Sequence, residues 1–597
     1  MIFENKLTQL IAEGFKEIFN ADISPEEISL QPTRKEFSGT HTFVLFPFLK
    51  FTKRKPEESA EAIGRYLVEQ SGVVKDYNVI KGFLNLSLSD ESWLQALSDI
   101  MQDPDFGSYP PNGKHVMVEY SSPNTNKPLH LGHLRNNFLG FSVSEILKAN
   151  GYDVSMVNLV NDRGIHICKS MLAYQELGNN ETPESSGIKG DHLVGKYYVK
   201  FDSVYKKEIA ELIASGTSEE EAKTKAPFLL KAQEMLRKWE EGDDTVVALW
   251  KQMNGWVYQG FEETYRILGV FFDKYYYESN TYLLGKNIVE EGLKKQVFYK
   301  KPDGSVWVDL SAEGLDEKLL LRGDGTSVYM TQDLGTAELK YQEYQYEKSV
   351  YVVGNEQDYH FDVLIKILKK LGKPYADGIF HLSYGMVDLP SGRMKSREGT
   401  VVDADDLVQE MLETAEKHTK ELGKIEGFTD DQAAELYHML GLGALKYFLL
   451  KVDPKKRMLF NPEESIQFQG FTGPFIQYTH ARISAILRKA GEMSLDYHNK
   501  EVLGKLSGLL EVEKDLIYII GEFRDKVAEA GRMFDPSIIA QHIFELAKEY
   551  NRFYAEASIF NCNDDDVMLF RVILSDQVAK VIRKGLKLLG IQAPDRM

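Results

Sequence analysis

The chain has 597 residues, 43% of them hydrophobic with 32 Phe and 31 Tyr, and a formal net charge of −19 from 71 basic and 90 acidic side chains. Roughly four domains fit that length, no apolar run reaches the roughly 18 residues that a membrane-spanning helix needs, and the acidic balance argues against broad nonspecific nucleic-acid binding while leaving room for local basic patches. The two cysteines, Cys168 and Cys562, have no paired spacing, which points to a reducing cytoplasm with neither a disulfide framework nor a zinc site.

The amino terminus, MIFENKLTQLIAEGFKEIF, predicts an amphipathic helix that carries acids and lacks the charge pattern of a signal peptide. Two strand-like stretches follow, FVLFPFLK at 43–50 and FLNLSLS at 83–89, where Leu84, Leu86 and Leu88 alternate. The turn SYPPNGK then marks a boundary near residue 110.

Beyond it, HVMVEY from His115 predicts a strand, PNTNKPLHLGH a turn, and LRNNFLGFSVSEILKANG a helix with Leu134, Phe138, Phe141 and Leu147 at helical spacing before Gly151. A second strand, DVSMVNLV, follows. This βαβ order implies a parallel sheet whose ligand lies beyond the carboxyl ends of the strands, close to the helix start. His130 and His133 stand at that start, bracketing Leu131 and Gly132. Unpaired amides and the positive dipole end favour phosphate there, the imidazoles add donors, and Gly132 lets backbone approach a nucleotide. Two other readings stay open: satisfied surface or core histidines, or two metal ligands, although zinc would want further ligands and none is evident nearby. Neither Gly107–Lys114 nor GLGALK at 441–446 matches the P-loop pattern.

A mostly helical stretch interrupts the αβ pattern. Ser218 and Glu221 make a capping box, and Trp250, Met253, Val257, Phe261, Tyr265 and Leu268 form a helical stripe that reads as core rather than as a base-stacking face. From about residue 401 the pattern is helical almost to the end. Basic residues cluster at Lys451–Arg457, at Arg482, Arg488 and Lys489, and at Lys580–Lys587; each cluster is a solvated helix face or a phosphate-binding surface.

The segment VEYSSPNTNKPLHLGHLRNNFLG resembles the first signature of class I aminoacyl-tRNA synthetases, and specifically of arginyl-tRNA synthetases. GRMKSREGT at 392–400 resembles the family's second signature loop, with Lys395 on its second lysine; the first lysine is absent, leaving Arg393 and Arg397 to supply charge. SVYMTQDLGTA at 327–337 and FTGPFIQYTHARISAILRKA at 471–490 also resemble family segments, so the likeness covers essentially the whole chain. It implies an α/β fold: a Rossmann-like parallel-sheet catalytic domain at 111–400 with a helical insertion at about 171–270. An α+β N-terminal tRNA-binding domain at 1–110, a helical connection at 401–455 and an all-α anticodon-binding domain at 456–597 complete the expected layout.

The resemblance further implies ATP-dependent activation of L-arginine and its transfer to the 3′ end of tRNA(Arg), with Mg²⁺ beside the phosphates, no zinc, a monomeric state and a cytoplasmic location. His130, His133 and Lys395 are the implied catalytic residues, and ATP is implied to meet His130, Gly132, His133, Met394, Lys395, Ser396 and Arg397. Arginine presents a planar five-donor fork, which a selective site meets with a carboxylate and an aromatic group. The family positions for it are Glu278, Tyr329 and Asp333, with Asn124 and Gln357 at the substrate's polar head. From the residues alone Asp333 reads equally well as a helix N-cap, Glu278 as an exposed acid, Tyr329 as a half-buried strand aromatic, and Asn124 and Gln357 as turn formers. Phe475, Tyr478 and Arg482 combine stacking surface with charge, as unpaired tRNA bases require, while Phe475 and Tyr478 also fall with Ile483 and Leu487 near a helical core stripe. Arg163 and His166 in NDRGIHI receive no role. Two rival functions remain: a class I synthetase for another amino acid, against which the acids Glu278 and Asp333 weigh, and a noncatalytic tRNA-binding scaffold, against which the intact HLGH weighs.

Overall fold

The computed structural model describes residues 3–34, 36–388, 402–423 and 427–597. At the amino end, helix Glu4–Phe19 and helix Pro56–Gln70 cover a four-stranded antiparallel sheet. In strand Phe83–Leu88 the alternating Leu84, Leu86 and Leu88 are buried, with Phe15, Phe43 and Leu67 in the same core. The apolar run at 43–50 is extended only as far as Val44. Pro47 lacks an amide proton for the sheet ladder, and the chain turns there through a short helical segment, Phe46–Phe48, into Leu49–Thr52.

Five parallel strands form the central sheet, in the spatial order Ile379–Tyr384, Lys348–Gly354, His115–Glu119, Asp153–Val160, Lys274–Tyr277. The first strand in the chain lies in the middle, and the sheet grows outward from it in both directions. That places the switch point between His115–Glu119 and Lys348–Gly354, where the connections diverge and leave a crevice at the carboxyl edge. Both faces are covered, and alternate residues feed two cores: Val116 and Val118 face one, and Met117 faces the other. The HLGH helix, Leu131–Ala149, packs close to the first strand; a side chain at Gly140 would stand 2.2 Å from the Tyr120 ring.

The insertion is helical, with its longest members at Gly190–Ala214 and Asp244–Leu268. Met253, Val257, Phe261, Tyr265 and Leu268 are buried core residues, and Trp250 donates its indole N–H to the Asp162 carbonyl at 2.7 Å. Ser218 caps helix Glu219–Lys225, but the Glu221 carboxylate meets the Ser218 hydroxyl at 3.2 Å instead of closing a reciprocal backbone bond. Downstream, helices Asp430–Leu450, Gly473–Glu492, Glu511–Met533, Ser537–Glu556 and Asp565–Leu588 make a bundle. It packs on the HLGH helix, where Ser142 donates to the Leu588 carbonyl at 2.8 Å.

Much of the basic charge in the C-terminal clusters has a partner within the chain. Lys451 donates to the Phe471 carbonyl, Lys580 pairs with Asp576, Lys584 with Asp105 and Arg583 with Asp595. Among the described residues no helix is long and apolar enough to cross a membrane.

Candidate active site

His130 is the N-cap of the HLGH helix, and its Nδ1 accepts the Gly132 N–H at 3.1 Å. In return, His133 Nδ1 accepts the His130 N–H at 3.2 Å. The two imidazoles thus satisfy helix-start amides in the manner of a capping box. Because each Nδ1 is an acceptor, the neutral ring carries its proton on Nε2. Burial holds His130 down at about 4 and His133 well below its ordinary value, and the nearby Lys127 ammonium adds to both shifts. Both rings are therefore neutral Nε2–H donors at physiological pH. Their centroids are 3.9 Å apart. Gly132 has a local reason to be glycine, since a Cβ there would press to 3.0 Å on the His130 ring.

These groups line a cavity of about 780 Å³ at the switch point, together with Ser121, Asn124, Gly354, Glu356, Gln357 and Tyr384. Asn124 belongs to the turn bridged to Asn161, and Gln357 to the short helical turn after strand Lys348–Gly354; both are exposed and line the cavity. Lys127 is half-buried, its ammonium pK lowered by desolvation, and has no ion-pair partner among the described residues. It stands in the PNTNKPLHLGH turn and escaped sequence reasoning, although a lysine in a turn before a helix start was the available signal.

Lys395, Met394, Ser396 and Arg397, with Arg393, lie outside the described residues. The chain on either side of them is anchored to the HLGH element. Arg135, fully buried, donates to the Gly385 carbonyl at 2.7 Å, to Lys456 at 2.9 Å and to Pro454 at 3.1 Å. On the far side, Leu131 N–H donates to the Val402 carbonyl and Ala404 N–H to the Leu129 carbonyl, each at 3.0 Å. Met386, Val387, Asp388 and Val402 line the same cavity as the histidines.

Glu278 directly follows the strand Lys274–Tyr277, so it sits at the same carboxyl edge. It is not an ordinary exposed acid. Burial raises its carboxyl to about 7; Arg163 opposes that rise while Asp162 and Asp333 add to it. Asp162 is itself buried and accepts Ser279 N–H at 2.8 Å, Ser279 Oγ at 2.7 Å and Tyr258 OH at 2.8 Å. Arg163 lies 3.9 Å over the Tyr282 ring and pairs with Glu240 at 2.6 Å, and His166 meets the Tyr198 hydroxyl at 3.1 Å.

The helix carrying Asp333 runs Tyr329–Tyr344 with Val328 at its N-cap. Asp333 is therefore inside the helix and caps nothing, and Tyr329 is its first helical residue, 76% exposed, not a strand aromatic. Asp333 Oδ2 meets His360 Nε2 at 2.5 Å, a contact that raises the imidazole pK. His360 lies 27 positions away on another helix, beyond the reach of any local pattern. On the same helix as Asp333, the buried Lys340 pairs with Glu119 at the end of the first strand.

At the C-terminal bundle Phe475 packs on Phe544, with centroids 5.5 Å apart. Arg482 lies between Tyr478 and Tyr554, 4.8 and 5.1 Å from their rings, and donates to Asn551. The structure brings His130, Gly132, His133, Asn124 and Gln357 around one cavity and sets Glu278 and Asp333 within electrostatic reach of each other, while Phe475, Tyr478 and Arg482 stand on the separate helical bundle.

Residues 96–461 match the family described as class I (R) tRNA synthetase catalytic domains, and residues 476–597 match the DALR anticodon binding domain. The arginine–tRNA ligase of Amoebophilus asiaticus is 59% identical over 591 residues, covering 99% of both chains. That of Bacteroides fragilis is 56% identical over 599 residues and 100% of both. The fold is shared with the Thermus thermophilus arginyl-tRNA synthetase structure at a TM-score of 0.78 and 24% identity, over 99% of each chain. A family match across most of the chain, full-length likeness to these ligases and a shared fold together establish that the chain belongs to the arginyl-tRNA synthetases, the arginine–tRNA ligases of class I.

Proposed function

We propose that the HLGH cavity and the acids at the sheet edge carry out the two steps of arginine–tRNA ligation. A carboxylate oxygen of arginine attacks the α-phosphorus of ATP, forming a P–O bond to give arginyl-adenylate as pyrophosphate leaves with the bond electrons. A terminal ribose hydroxyl of tRNA then attacks the arginyl carbonyl, and AMP departs. His130 and His133, together with Gly132, meet ATP, and the two Nε2–H groups stabilise charge developing on the phosphoryl oxygens. They act as fixed neutral donors and not as bases, because phosphoryl transfer asks the protein mainly for position and electrostatics. Lys127 adds a cation beside them, and Lys395 with Met394, Ser396 and Arg397 completes the ATP contacts from the second signature.

Glu278 and Asp333 receive the guanidinium, Tyr329 flanks its plane, and Asn124 and Gln357 hold the α-amino and carboxylate end. One observation carries this reading: Glu278 is desolvated to the point of titrating near 7 with a second acid, Asp333, beside it, an arrangement that a cationic substrate relieves. Of the carboxylates that line the cavity among the described residues, Asp388 is paired with Arg457 at 2.7 Å, which leaves Glu356 as the unpaired one. Mg²⁺ would accordingly be held mainly by the ATP phosphates and water, with Glu356 in support; when bound it neutralises phosphate charge. On the bundle, the Tyr478–Arg482–Tyr554 stack offers a partly exposed cation and rings to unpaired bases, with Phe475 as its packed support.

Amino-acid-dependent ATP–pyrophosphate exchange tests the assignment. Exchange is expected with arginine alone among the amino acids, and only when tRNA is present. Exchange driven by another amino acid, or none with arginine plus tRNA, overturns it.

A further inference from the structure

Away from the cavity, a buried charge cluster joins three distant parts of the chain. Helix Gly190–Ala214 of the insertion begins with Lys189 at its N-cap, and Lys189 Nζ lies 2.6 Å from Asp405 Oδ2, 2.5 Å from Thr264 Oγ1 and 3.3 Å from Asp191 Oδ2. Thr264, on helix Asp244–Leu268, donates to the other Asp405 oxygen at 2.9 Å. His192 Nε2 is 3.2 Å from Asp403 Oδ2 and 3.3 Å from Asp405 Oδ2. Helix Asp244–Leu268 makes room for the cluster, because a Cβ at Gly260 would lie 2.3 Å from Asp191 Oδ1.

Asp403 links this cluster to the HLGH helix. Its Oδ1 accepts the N–H groups of Asp405 at 2.8 Å and Asp406 at 3.2 Å, capping helix Ala404–Glu421. Its backbone forms an antiparallel bridge with His130, flanked by the Leu131–Val402 and Ala404–Leu129 hydrogen bonds. The side-chain cluster therefore meets Asp403, the residue whose backbone bridges the helix cap. Buried ion pairs are poor stabilisers compared with apolar packing of the same volume, so stability alone is a weak reason for five charged groups to converge here. Asp191, His192 and Asp405 have ligand atoms within 4.8 Å of one another, but the Lys189 ammonium already stands between two of the carboxylates and supplies the cation that a metal would.

We propose that Lys189 and His192 are positioning residues for the activation step: through Asp403 and Asp405 they tie the insertion to the bridged segment around Asp403 that holds His130 at the helix start. This rests on the role given to His130 above. Burial alone would lower the His192 pK, but Asp403 and Asp405 outweigh it and raise the imidazole to about 10, and Asp405 is held at about 2, so His192 and Asp405 face each other as opposite charges at physiological pH. Displacing a reacting group by about 1 Å from a remote position costs up to roughly 100-fold in rate.

The test compares His192→Ala, His192→Gln, His130→Ala and the double variant His192→Ala/His130→Ala in arginine-dependent exchange with tRNA present. His192→Ala is expected to lower kcat by about 10- to 100-fold with the arginine KM changed less than about twofold, and His192→Gln, which keeps an N–H donor, to recover part of the loss. Because the effect runs through His130, the double variant should be no slower than His130→Ala alone. Additive losses in the double variant, an unchanged kcat in His192→Ala, or a loss in arginine KM instead of kcat overturns the proposal. Absence of exchange in the wild-type protein would instead count against the functional reading itself.

Discussion

Glu278 stores an electrostatic cost that the substrate should release. Its carboxyl is raised from 4.5 to about 7, mainly by burial, and at about 1.4 kcal/mol per pH unit that corresponds to about 3 kcal/mol against ionising it in the free protein. The folded value lies above the unfolded one, so between pH 4.5 and about 7 the folded state binds more protons, and stability falls as pH rises through that window. Glu278→Gln keeps the shape and removes the charge. At pH 8 the variant should gain up to about 3 kcal/mol, seen as a rise of several degrees in the melting transition of the catalytic region, while kcat/KM for arginine falls by about 2–5 kcal/mol equivalent as one partner of a buried charge pair is lost. In the wild type, kcat/KM for arginine should fall as pH drops below about 7, and arginine with tRNA should raise the melting temperature more at pH 8 than at pH 6. Thermal melts and steady-state exchange on the same samples read both effects. Equal melting of the two proteins at pH 8, with undiminished arginine use by Glu278→Gln, would refute the claim that this acid is held uncompensated for a cation.

Two further perturbations separate structural from chemical roles. Asn is as good an N-cap as any residue, whereas Ala at an N-cap costs about 0.5–2 kcal/mol; His130→Asn should therefore melt like the wild type yet lose about 10²-fold or more in exchange for want of the Nε2–H donor, and wild-type-like activity would reduce His130 to a cap. Asp333 caps no helix, so Asp333→Asn should leave folding intact, weaken arginine use by about 2–5 kcal/mol of transition-state binding, and let the His360 pK fall back from its raised value, which proton NMR of the ring follows; an unmoved His360 titration would show that the 2.5 Å contact does not hold in solution.

Local pattern was enough for the elements that frame the site. The strand at His115, the HLGH helix and the strand DVSMVNLV are each short-range signals, readable because apolar spacing and a glycine stop report directly on the backbone. The same local logic misread 43–50, where Pro47 breaks an apolar run, and left Tyr329 and Asp333 on the wrong sides of a helix boundary that lies at Val328. The structural reading of the HLGH histidines does not exclude the donor reading, since Nδ1 caps the helix while Nε2 keeps its proton.

What the tertiary structure decided are relations between residues far apart in the chain. Lys340 meets Glu119 across 221 positions, Arg135 gathers the carbonyls of Gly385, Pro454 and Lys456, and His192 reaches Asp403 and Asp405. The basic clusters look like candidate phosphate surfaces in one dimension, yet Lys580, Arg583 and Lys584 each have an acidic partner in three. Ionisation follows the same rule: the sequence by itself supplied the identity of Glu278, His130 and His133, but a side chain's pK depends on how much water the fold removes and which charges it brings near, and those are properties of packing that no spacing along the chain encodes.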